Sequence, residues 1–133
     1  MKRNGLARAC GAVILLGAGV LAVERSNGLQ PMTFALGCES SACELLKGEP
    51  QTCGMRSGSV KLRPGESVGW HSTGANEETL SILQGGGVAH FAGQKDLAIR
   101  EQSLVYIPPN TKHNVTNTGT QVLEYVWVVA PVK

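Results

Sequence analysis

The sequence predicts an all-β protein, a sandwich or a barrel of short strands. From Ser57 onward apolar and polar residues alternate in short runs with a period of two. The 17 glycines and 6 prolines favour short strands joined by tight turns. No stretch shows the 3.6-residue period of an amphipathic helix. At 133 residues, 42% hydrophobic and 17% charged, the chain is long enough for one core and ordinary for one domain.

The elements follow in order. MKRNGLAR is a short positive segment and Ala9 to Val23 is an apolar stretch of fifteen residues with a small residue, Ala22, at the expected cleavage point. A membrane-spanning helix needs about 20 residues. Residues 1–22 therefore read as a secretory signal peptide, with an uncleaved membrane anchor as the alternative, and the protein is expected to be secreted or periplasmic. Residues 23–56 form an irregular, cysteine-containing segment in which CESSACELLKG fits one or two helical turns. Cys38, Cys43 and Cys53 remain after leader removal, so export implies one disulfide and one thiol left over, with the pairing open.

Residues 57–133 carry the β pattern. Ser59 to Arg63 alternates and stops at Pro64-Gly65; further runs are Glu78 to Leu83, Val88 to Phe91, Leu97 to Ile99, Leu104 to Ile107, His113 to Asn117 and Val122 to Val129. Leu123, Tyr125, Trp127 and Val129 share one parity and form an inward wall, with Glu124 on the other face. Trp70 and Trp127 read as wall and core, and His90 as a surface or core residue outside any ligand pattern. Without the leader, 9 basic residues face 10 acidic ones with no basic run, which excludes a nucleic-acid partner.

The chemistry concentrates in three residues. Glu78 shares parity with Leu80 and Ile82, which places its carboxylate on the apolar inward face. A lone carboxylate there is expensive to bury unless it is paired or bound to a cation. His71 is expected to close one short strand and Glu78 to open the next; if those strands pair antiparallel, both side chains sit at the same end of a sheet. His113 follows the Pro108-Pro109 turn on a later strand. Two imidazoles and a carboxylate are the ligand set of non-haem Fe(II) sites, and equally suit Mn, Ni, Cu or Zn.

The segments GESVGWHSTGANEETLSILQG and IPPNTKHNVTN resemble the two signature motifs of the cupin superfamily, G-x5-H-x-H-x(3,4)-E-x6-G and G-x5-P-x-G-x2-H-x3-N. Gly65, His71, Glu78 and Gly85 fall on the first motif, and Pro108, His113 and Asn117 on the second. Thr73 stands where the second histidine belongs and Asn110 replaces a turn glycine. Asparagine tolerates the left-handed backbone that such a glycine supplies.

The resemblance implies a double-stranded β-helix, or jelly-roll, barrel with one divalent metal ion held by His71, Glu78 and His113 and a small molecule in the barrel mouth. It implies metal-dependent oxygenase, lyase or isomerase chemistry, or non-catalytic binding of a carbohydrate or organic acid; no residue identifies the substrate. Thr73 shares parity with His71 and is expected to face the metal, while Tyr106 and Gln84 are candidates to support the ligands. Asn117 is expected to satisfy backbone groups near the barrel mouth. A homodimer through the strand around Val126 and Val128 is the further expectation, and a membrane enters only through an uncleaved leader.

Overall fold

The computed structural model describes residues 29–132. The expected leader, residues 1–22, and the segment up to residue 28 lie outside the described residues. Nine strands make up the regular structure among the described residues: β1 (Ala42–Lys47), β2 (Arg56–Leu62), β3 (His71–Ser72), β4 (Asn76–Gln84), β5 (Gly86–Phe91), β6 (Leu97–Arg100), β7 (Ser103–Ile107), β8 (Lys112–Thr116) and β9 (Leu123–Pro131). They form a five-stranded sheet in the order β1-β2-β9-β4-β7 and a four-stranded sheet in the order β3-β8-β5-β6. Every pairing is antiparallel, and no helix occurs among the described residues.

The two sheets share one core. Val60, Leu62, Leu80, Ile82, Val105, Ile107, Leu123 and Tyr125 come from the larger sheet and Ala89, Phe91, Ile99 and Val115 from the smaller. Period-two patterning decides which face is buried, because successive strand residues point to opposite sides. Glu78, Leu80 and Ile82 are buried on β4 while Thr79 and Ser81 are only half-buried, as their parity predicts. On β9 Leu123, Tyr125 and Val129 are buried and Trp127 packs against the core. Gly58 pairs with Trp127, and a Cβ there would sit 2.6 Å from the indole Cζ2 and collide with the Cys43 carbonyl. The glycine leaves room for the indole to pack against β2.

Several expectations are corrected. Residues 42–47, expected to be irregular or a helical turn, form the edge strand β1, joined to β2 with one bulge. The segment is too short for a stable helix, whereas the open edge of β2 offers unpaired backbone groups. The expected thiol pattern does occur: Cys38 and Cys43 form a disulfide and Cys53 is free and exposed. Trp70 is neither wall nor core but 53% exposed. His71 opens β3 rather than closing a strand, and β3 pairs with β8 in the smaller sheet, not with β4. Asn110 adopts φ 56°, the left-handed conformation allowed for it.

Candidate metal centre

Three strands bring the predicted residues together. β3 and β8 pair so that His71 lies directly opposite His113, with ring centroids 4.2 Å apart. Glu78 reaches the same point from β4 in the facing sheet. The site thus spans the gap between the sheets instead of occupying the end of one hairpin. One ligand atom from each of His71, Glu78 and His113 lies within 4.8 Å of the others. Bonds of about 2.1 Å to one ion allow at most ~4.2 Å between two donors, and His71, which is exposed, can make the small turn that closes the set.

The hydrogen bonds fix which nitrogen faces the centre. His71 Nδ1 donates to the Gly69 carbonyl at 2.9 Å, and His113 Nδ1 donates to the Thr111 carbonyl at 3.2 Å. Each backbone partner holds its ring in the tautomer that leaves Nε2 free as a ligand. His113 Nε2 lies 3.3 Å from Glu78 Oε2, and both residues are buried. Burial opposes charge on His113, but the hydrogen bond to Glu78, the Thr111 carbonyl and the Glu78 charge outweigh it, raising its pKa above the ordinary imidazole value. Without a cation the Glu78 charge favours a proton on His113; a divalent ion would take over that role and displace the proton. The donor types, the fixed tautomers and the buried carboxylate fit one first-row metal.

Around the three residues lies a cavity of about 270 Å³ walled by Val60, Leu80, Val115, Trp127 and Val129. Tyr125 also lines it, and burial together with the nearby Glu78 charge holds its phenol far above its usual pKa, so it remains a proton donor. Arg56, which sequence reasoning missed, lines the same cavity. It opens β2 opposite Val129, and Val129 lies opposite Glu78 on β4, so Arg56 and Glu78 occupy one row. Two strand spacings, about 10 Å, separate their backbones. The signal lay in extending the β2 alternation back from Leu62 and Val60 through Gly58 to Arg56.

The other expected participants do different work. Thr73 is buried and lines the cavity, but its hydroxyl donates to the Pro108 carbonyl at 2.9 Å and accepts from the Thr111 backbone N–H at 3.0 Å. It braces the turn that leads into His113 from a position just past the end of β3 at Ser72. Thr73→Val, which keeps the shape and removes both bonds, is expected to lower stability by about 2 kcal/mol. An unchanged urea midpoint would show that the brace contributes nothing. Tyr106 is exposed and hydrogen-bonds Glu77 at 3.2 Å, and Gln84 is exposed, so neither supports the ligands. Asn117 is fully buried and donates to the Leu62 and Gln121 carbonyls, each at 2.8 Å, as expected of a residue that satisfies backbone groups.

Comparison with known proteins matches this architecture. The cupin domain family model matches residues 58–129. Over 70 residues the chain is 37% identical to an oxalate-binding protein of Thermotoga maritima, covering 53% of this chain and 57% of that relative. The chain thus spans little more than half that relative's length. Among solved structures, a cupin protein of Bacteroides fragilis superposes with a TM-score of 0.61 at 21% identity over 79% of this chain and 86% of that one. A Klebsiella pneumoniae protein with a double-stranded β-helix domain gives a TM-score of 0.63 at 17% identity, covering 77% and 91% of the two chains. The matched segment takes in most of β2 through most of β9 and all three converging side chains, and on that match the chain belongs to the cupin family.

Proposed function

We propose that this chain is an exported cupin that holds one divalent metal ion through His71, Glu78 and His113 and binds on it a small organic acid of the oxalate class. In this reading the two sheets form the double-stranded β-helix of the family. The observation that carries the ligand class is Arg56. A guanidinium shares the cavity with a metal-type donor set while the rest of the wall is largely apolar. A dicarboxylate can bridge such a pair, one carboxylate on the ion and the other in the arginine fork. Arg56 also lies 3.8 Å from Glu44, but that pair is half-exposed and holds the side chain only weakly. The oxalate-binding relative supports the same class. The disulfide between Cys38 and Cys43 supports export, since such bonds persist in oxidising compartments.

Three protein ligands leave coordination positions open, which is what binding an acid directly to the metal requires. The N2O set suits Mn, Fe, Ni, Cu and Zn alike. Calorimetric titration of metal-loaded protein with oxalate tests the proposal, and absence of binding by every one of these metal forms would sink it. Arg56→Ala is expected to leave metal content unchanged and weaken oxalate binding by about tenfold or more, the loss of a charge-assisted pair. Equal affinity would remove Arg56 from the site.

A second reading, catalysis on the bound acid as an oxygenase, lyase or isomerase, is favoured by Tyr125, a protonated phenol lining the same cavity. Product analysis after prolonged incubation of the metal-loaded protein with the acid separates turnover from binding.

A further inference from the structure

The outer face of the smaller sheet carries a row of side chains that the metal centre does not use. His113 points into the cavity, so its neighbour Asn114 points the other way. Trp70 precedes His71 in the register that sets His71 opposite His113, which brings Trp70 beside Asn114. On the other side of β8, Asn114 pairs with His90 of β5. Asp96, just before β6, completes the row by accepting from His90 Nδ1 at 2.7 Å. Trp70, Asn114, His90 and Asp96 thus run side by side across the sheet, and the Trp70 and His90 rings stand 6.4 Å apart, tilted at 45°.

Two features mark the row as unfinished. Trp70 is 53% exposed although it is the largest side chain on this face. Asn114 is only 8% exposed, and its Oδ1 is buried with no hydrogen-bond partner. With Nδ1 donating to Asp96, His90 is held in the tautomer whose Nε2 accepts. The row therefore offers two accessible acceptors, His90 Nε2 and the outer oxygen of Asp96, beside the electron-rich face of one indole.

We infer that this row is a second binding site, for a neutral saccharide, on the opposite face of the sheet from the metal centre. A sugar ring meets both halves of it. Its C–H face carries slight positive charge and packs on the negative face of Trp70, and its neighbouring hydroxyls donate to His90 and Asp96. The accessible acceptors of the row, His90 Nε2 and the Asp96 carboxylate, favour hydroxyl donors over an organic anion of the kind proposed for the cavity. The inference does not depend on the metal reading.

Titration of the full-length protein with cellotriose and with tri-N-acetylchitotriose, followed by tryptophan fluorescence, tests it. Trp70 and Trp127 are the two tryptophans of the chain, so the signal can be assigned by substitution. Wild type is expected to give a saturable change with at least one sugar, both before and after treatment with EDTA. Trp70→Ala should weaken binding by about tenfold, as measured by calorimetry, and Trp70→Phe should restore most of it. Asp96→Ala, in the exposed β5–β6 turn, should weaken it as well and serves if Trp70→Ala does not fold. Any of three results overturns the site: no saturable response to either sugar, undiminished binding by both Trp70→Ala and Asp96→Ala, or binding that vanishes with EDTA, which would place the sugar in the cavity. Saturation by tetramethylammonium with no response to either sugar would make the ligand a cation and overturn it equally.

Discussion

His113→Ala is expected to abolish metal retention and, in metal-free protein, to lower stability by roughly 3 kcal/mol, because it strands the Glu78 carboxylate in the interior. His113 is 1% exposed and Glu78 7%, so neither water nor a neighbouring cation readily replaces the lost imidazole. His71→Ala should differ in kind. Its ring is exposed, so the metal-free fold should lose well under 1 kcal/mol while metal binding still fails for want of a third donor. Elemental analysis of protein purified without chelators, paired with urea unfolding of the metal-free forms, reads both effects. Equal metal content in wild type and both variants would remove these residues from the site; equal stability of the two variants would mean that His113 and Glu78 are not coupled.

Acidification should strip the metal while adding to the stability of the metal-free protein. His113 in the metal-free fold has a pKa above the ordinary value of about 6.5, because Glu78 and the Thr111 carbonyl outweigh its burial. A raised folded-state pKa contributes stability that is fully present below about 6.5 and is lost as pH rises through the folded value. The metal competes with that same proton, so affinity should begin to fall already above pH ~6.5 and drop by about tenfold per unit below the raised pKa. Metal titrations in steps from pH 8 to pH 5, with thermal unfolding of metal-free protein over the same range, test both trends. Metal affinity that stays flat across the interval would show that no titrating histidine serves the ion.

The local grammar of this chain is legible without coordinates. Alternation at Glu78-Thr79-Leu80-Ser81-Ile82 assigns the carboxylate to the buried face, and the structure buries it there. The same logic reads Leu123, Tyr125, Trp127 and Val129 as one inner wall, and the tolerance of asparagine for φ > 0 reads Asn110 as a turn residue. Each inference needs only neighbours within a few residues, since strand parity and turn geometry are properties of the local backbone.

What the sequence by itself determined is therefore the β class, the inward carboxylate and the three residues that meet around it. Only the tertiary structure decided which strands are neighbours. It put His71 beside His113 on β3 and β8, with Glu78 facing them from the other sheet, and it turned residues 42–47 from an expected irregular segment into an edge strand. It set Arg56 two strands from Glu78 in one row, drew the Thr73 hydroxyl into the turn before His113, and lined Trp70, Asn114, His90 and Asp96 across the outer face. The reason is physical: parity repeats every two residues and can be counted along the chain, whereas strand partners and rows are chosen by burial and hydrogen bonding summed over the whole core, between residues far apart in sequence.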